Sequence, residues 1–399
     1  MLEEICITYI CTSLNEIRGV EMSKELKIKN CFLMMTYGDA LGFAYENSNN
    51  EDLKLIPFTL GYNEALKLNQ RLGQWSDITE LLLIQAKALR DIKEKNSVVV
   101  DYPRFKDELL YWQYYRHGSP SQIINRIKQE DLFNGSQEYW QDKRGYGFSR
   151  IVSILLANKN SSSGIKEIYK QILFFNRHPQ VIITALLLAK AISQLMEASF
   201  TLVELIEELK AYLIALRLQE LEGDAVAKLP QQYIIQYERE KIELLMALDR
   251  LKDDNIGDLA GMPQNSRGVL LSALCYYNSL KEGLQPDIID SQNCKEAFAI
   301  AYGLYGISLV ELPEDIANIK DWGFINSMGD YIVRIRNYEI DKKPYENTRF
   351  VDIFQLQANQ QIKHPILNNI KVISRQQQAG FLVMVVATKT GNYTFVREC

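Results

Sequence analysis

This sequence predicts a mainly α protein with a small antiparallel β appendage near its C-terminal end, and three observations carry that expectation. Apolar residues recur at three- and four-residue spacing from residue 24 to about 341, the period of helices that bury one face. Beyond residue 342 the pattern changes to short segments rich in Val, Ile, Phe and Thr, as strands require. Hydrophobic residues make up 47% of the 399 and charged residues 24%, a soluble globular mix with enough apolar surface for a sizeable core.

Taken in order, helical spacing runs through 24–45, 77–92, 105–115, 165–175, 180–196, 202–218 and 233–251, with further helices at 267–280 and 294–305. Turn-rich connections separate them at 47–52 and 158–164. The tail offers strands at 370–374, 381–388 and 393–397, with Thr390-Gly391-Asn392 as the turn between the last two. Residues 2–19 are mostly apolar and predict one more helix packed on the body. The resulting division is an N-terminal extension over 1–23, a helical domain over 24–341 and a β-rich tail over 342–399.

Composition narrows the function classes. A net charge of −5 gives no basic surplus for gripping nucleic acid or anionic membrane, so proteins or small molecules are the expected partners. Six cysteines lack CxxC spacing and no secretory signal is read, which points to reduced thiols and a cytoplasmic location. The apolar run 179–189 is too short to cross a bilayer before Lys190. Only three histidines exist, at 117, 178 and 364, which argues against a multi-histidine zinc site.

Four motifs carry chemistry. In Gly38-Asp39-Ala40-Leu41-Gly42-Phe43-Ala44-Tyr45-Glu46, small residues alternate within an apolar helix and let a second backbone or a ligand approach closely. Helix packing, with Asp39 satisfied by backbone donors and Glu46 solvated at the helix end, accounts for the same residues. In Gly73-Gln74-Trp75-Ser76-Asp77-Ile78-Thr79, Ser76 and Asp77 offer oxygens to a hard cation from a turn that opens a helix, whereas Ile78 offers none. Asp77 and Glu80 also fit a helix cap, but capping leaves Gly73, Gln74 and Trp75 unexplained. Gly145-Tyr146-Gly147-Phe148-Ser149-Arg150 precedes an apolar helix, and its backbone donors suit a diphosphate as well as a plain turn. His178-Pro179 reads as a helix entry with Pro in the first turn.

In this order the motifs resemble those of the ADP-ribosylglycohydrolase family, whose members show GDxxG…E, GxxTDDT, GNGxxMR, a His-Pro helix start and DxDT. The first four align with 38–46, 73–79, 145–150 and 178–179. The fifth falls on Ser291-Gln292-Asn293-Cys294, ahead of a helix rich in small residues. The resemblance covers roughly 24–338 and implies an all-helical bundle whose cleft holds two divalent cations, usually magnesium, and releases ADP-ribose from a modified side chain.

Mapped onto this chain, the resemblance makes Glu46 and Asp77 the catalytic candidates. It makes Asp39, Gly145, Tyr146, Gly147, Phe148, Ser149 and His178 ligand-binding candidates, and Ser76, Asp77 and Asp290 the remaining metal ligands. Ser76 keeps an oxygen in place of Thr, Ile78 loses a carboxylate, and Ser291, Asn293 and Cys294 stand where Asp, Asp and Thr are expected. A one-residue shift brings Asp290 into play. Magnesium dehydrates reluctantly and needs carboxylate help, so the expectation is no required cofactor or a single weakly bound Mg²⁺. The expected function is recognition of ADP-ribose or an ADP-ribosylated protein without efficient hydrolysis. Two alternatives are a working hydrolase using one metal or none, and a cytosolic antagonist of an ADP-ribosylating toxin.

Overall fold

Helix α1, Lys24–Glu46, starts where the Ser23 side chain accepts from the Leu26 amide, and it runs buried from Asn30 to Ala44. The computed structural model describes residues 22–48, 52–62, 65–118, 121–252, 265–286, 294–346 and 351–399. Within them follow α2 Asp77–Lys87, α3 Tyr102–Trp112, α4 Ser121–Gln129, α5 Gln137–Gln141, α6 Val152–Ala157 and α7 Ser161–Leu173. The second half supplies α8 Pro179–Glu197, α9 Leu202–Ala215, α10 Leu218–Glu222, α11 Gln231–Lys252, α12 Ser266–Lys281, α13 Cys294–Gly306 and α14 Trp322–Arg336. The expected helix over 2–19, and Asp290, Ser291 and Asn293, lie outside the described residues.

Helix starts follow local chemistry. Asp101 caps α3 by accepting from Arg104 N, and Thr201 with Glu204 closes a capping box on α9. His178 caps α8 through its ring nitrogen, with Pro179 in the first turn. Helix α8 extends eight residues past the 179–189 run and is apolar and long enough to cross a membrane. Yet 83% of its apolar window is buried inside the fold, so it is a core helix.

Among the described residues the helical body carries two short hairpins. Strand β1, Phe58–Gly61, pairs antiparallel with β2, Lys67–Gln70, and β3, Leu89–Ile92, with β4, Ser97–Val100. The single helix expected over 77–92 therefore ends at Lys87. Leu89 and Asp91 are buried while Arg90 and Ile92 are half-buried, a two-residue alternation, and Asn96 in the left-handed region (φ 46°) closes the turn.

The tail forms one antiparallel sheet in the order β5 Gln361–His364, β6 Asn368–Gln378, β7 Phe381–Thr388, β8 Gly391–Glu398. It has one strand more than the sequence pattern indicated. Because Thr388 pairs with Gly391, the last turn is Lys389-Thr390, one residue earlier than expected. Ile370, Val372, Met384, Val386 and Phe395 face the same hydrophobic core as the helices. The Val396 amide reaches Tyr114 O at 2.7 Å, joining sheet to body.

What positions the site is the contact between α1 and α13. A methyl group on Gly38 would fall 2.4 Å from Phe298 O, and one on Gly42 2.6 Å from Lys295 Cα. Gly303 and Gly306 repay the approach from α13, where added methyls would meet Met35 at 2.4 Å and Asn30 O at 2.7 Å. The small-residue stripe of α1 thus admits a backbone. Gly38→Ala or Gly42→Ala should cost about 1–3 kcal/mol in urea unfolding, the usual penalty of overpacking. Gly323→Ala in α14, with nothing within 4 Å of the added methyl, should be neutral or mildly stabilising.

Candidate functional site

Asp39 organises the site from the middle of α1. It is fully buried, and its Oδ2 accepts from the amides of Ser76 at 2.9 Å and Thr79 at 3.0 Å, while Oδ1 accepts from Ser76 Oγ at 2.5 Å. Burial pushes its pKa up to about 6, although the bonds from Ser76 and Thr79 and the Lys295 charge oppose the rise. Ser76 Oγ also accepts from Ile78 N at 3.0 Å, so it caps α2 from its N-cap position.

The preceding Gly73-Gln74-Trp75 is explained by its other wall. Gly73 has φ 69°, and a methyl there would fall 2.2 Å from Asn318 O. Its carbonyl accepts from Lys320 N at 2.9 Å, and Trp75 Nε1 donates to Lys320 O at 2.9 Å. These bonds hold the turn rigidly enough to aim Asp77 at α13.

Asp77 and Glu46 converge on Lys295. The ammonium of Lys295 lies 3.0 Å from Asp77 Oδ1 and 3.9 Å from Glu46 Oε2, with side chains 12%, 0% and 12% exposed for Lys295, Asp77 and Glu46. Asp77 Oδ2 accepts from Tyr146 OH at 2.8 Å. Gly118 closes over the same carboxylate, where a methyl would fall 2.0 Å from Oδ2. Buried Glu80 anchors the approach to Gly118, accepting from Trp112 Nε1 at 2.6 Å and meeting His117 Nδ1 at 2.6 Å.

Glu46 is held at the end of α1, where Oε1 accepts from Lys295 N at 3.0 Å. Burial raises its carboxyl to about 7 against the opposing Lys295 charge. Burial alone would weaken the Lys295 ammonium, but Asp77, Tyr146 and Glu46 hold its pKa well above the ordinary value. The phenyl ring of Phe43 and the phenol of Tyr146 face it at 5.3 and 5.6 Å.

Of the glycine loop, Tyr146 reaches this cluster and the rest supports it. Gly145 and Gly147 both have positive φ, 57° and 64°. The amides of Gly147 and Ser149 donate to the buried Glu296 carboxylate at 3.1 and 3.0 Å, while Phe148 is in the core. Two of the donors that suited a diphosphate are thus engaged by an internal carboxyl group, and the Phe148 and Arg150 amides by carbonyls of the loop itself. Burial raises the Glu296 carboxyl despite those amides. His178 is engaged elsewhere, capping Gln180 N at 3.1 Å and meeting Gln236 at 2.7 Å, with burial lowering its pKa to about 4.

The described donors do not fit the magnesium that the family pattern implies. Both Asp77 oxygens, Ser76 Oγ and Asp39 are engaged within the protein, and Ile78 has no donor. Among the described residues no three His, Cys, Asp or Glu side chains converge on one point. Two grooves of about 370 and 580 Å³ lie elsewhere, around Ser161, Ile165 and Tyr212, and contain none of the motif residues.

Sequence reasoning brought Asp39, Glu46, Ser76, Asp77 and Tyr146 together, but it missed Lys295, Glu296 and Gly118. One signal was present. A lysine in the first turn of a helix opposes the helix dipole unless carboxylates meet it.

Comparison with known proteins supports the same family. The family model described as ADP-ribosylglycohydrolase matches residues 21–285. A solved structure titled "ADP-ribosylglycohydrolase-related protein complex" is similar in fold, with a TM-score of 0.51 at 15% identity, covering 78% of this chain and 99% of that one. No curated protein sequence matches.

Glu46 binds its proton more tightly folded than unfolded. Its contribution to stability is therefore fully present below about pH 4.5 and is lost as pH rises through about 7. Glu46→Gln should remove this fall, worth at most about 3 kcal/mol, from the difference between denaturant midpoints at pH 5 and pH 8.

Proposed function

Because the chain belongs to the ADP-ribosylglycohydrolase family, we propose that the face formed by the end of α1 and the starts of α2 and α13 recognises ADP-ribose or an ADP-ribosylated protein and hydrolyses the glycosidic bond weakly or not at all. The observation that supports this reading is Ile78 beside an Asp77 whose two oxygens are taken by Lys295 and Tyr146. Family-type catalysis uses cations to order the sugar hydroxyls and a water, and it needs free carboxylate oxygens to hold them. Here those oxygens order the protein instead.

A second reading is favoured by Glu46, whose carboxyl at about 7 is poised to give and take a proton at neutral pH. In that case Glu46 protonates the leaving atom of the modified side chain as the ribose C1 bond breaks. Water adds to C1, and its proton returns to Glu46.

Calorimetry with ADP-ribose in EDTA and in magnesium should give the same affinity, with no ADP-ribose released from modified protein. Binding that requires magnesium, together with turnover, would contradict the proposal. Release in EDTA that disappears in Glu46→Gln would select the second reading.

A further inference from the structure

We propose that the Lys295 ammonium is the resident cation of this cluster, fixed where the family pattern calls for a divalent ion and excluding one from Asp77. This rests on reading the cluster as the family's cation site, but it requires neither binding nor cleavage of ADP-ribose.

Two features of the surroundings suit an ammonium, which donates to Asp77 Oδ1 at 3.0 Å, and not a hard dication. Two of the neighbours are aromatic faces, Phe43 and Tyr146, which attract an ammonium and ligate no magnesium. In addition, Asp77 Oδ2 is committed to Tyr146 and Glu46 Oε1 to the backbone of Lys295 itself.

The placement is built into the backbone as well as the side chain. Gly42 lets Lys295 Cα press against α1, since a methyl on Gly42 would fall 2.6 Å from it. Four residues along, Glu46 takes the Lys295 amide. Phe43, between them, supplies one of the two aromatic faces. The same α1 segment that in the motif carries a glutamate toward the sugar thus holds both ends of this lysine. A lysine in the first turn of α13 would otherwise face the positive end of the helix dipole, so its carboxylate partners are needed to keep it there.

The test is Mn²⁺ binding to the full chain, read by electron paramagnetic resonance and by thermal shift. Wild type should bind no Mn²⁺ at Asp77 up to millimolar concentration and should show no shift. Lys295→Ser with Ile78→Asp, which removes the ammonium and restores the motif acid, should gain at least tenfold in Mn²⁺ affinity. The same variant should melt higher when Mn²⁺ is added. Stoichiometric Mn²⁺ binding by wild type that Asp77→Asn abolishes would overturn the proposal, whatever the variants do. So would a folded double variant that gains no affinity. Lys295→Arg, which keeps the charge, should remain without Mn²⁺ if the double variant does not fold, and Mn²⁺ binding by it would also count against the proposal. Loss of ADP-ribose binding in calorimetry would sink the proposed function while leaving these outcomes untouched.

Discussion

The close approach of α1 and α13 is the constraint on which the rest of the structure depends. Four glycines, Gly38 and Gly42 on one helix and Gly303 and Gly306 on the other, let the two backbones meet where ordinary side chains would collide. That contact fixes the start of α13 against the end of α1, and with it the position of Lys295 relative to Glu46. Asp39, one residue after Gly38, then pins the turn that opens α2 through three hydrogen bonds from Ser76 and Thr79. The cluster is therefore assembled from three helix ends whose spacing is set by packing and whose chemistry is set by a few polar side chains.

Electrostatics within the cluster follow from its burial. Three carboxyl groups, Asp39, Glu46 and Asp77, share a buried neighbourhood with one ammonium. Burial raises Asp39 and Glu46 toward neutrality, whereas Asp77 keeps the direct ion pair. A pair of dications would need carboxylate oxygens that the protein leaves free.

Much of this was legible in the sequence. The alternation of small residues over 38–44, the Ser76-Asp77 turn and the two glycines at 145 and 147 identified the elements that meet, because each residue type is required by backbone geometry or capping chemistry. The hairpin over 89–100 was hidden because the spacing of Leu89 and Ile92 continues the helical period of α2, and four residues are too few to separate that period from strand alternation. The first tail strand, Gln361–His364, is short and largely polar, and carries little strand signal. Lys295 escaped notice for a different reason. Counting lost oxygens at Ile78 and over 291–294 asks what a cation would miss, and a cation supplied by the chain one residue later answers a question that count does not pose.

The central claim, that Lys295 takes the place of a divalent ion on Asp77, is tested most directly by diffraction from crystals grown with Mn²⁺ and measured for its anomalous signal. The expected result is no anomalous peak at coordination distance from Asp77 and a Lys295 ammonium in hydrogen-bond contact with that carboxylate. An anomalous peak bound to Asp77, with the Lys295 side chain turned away, would contradict it.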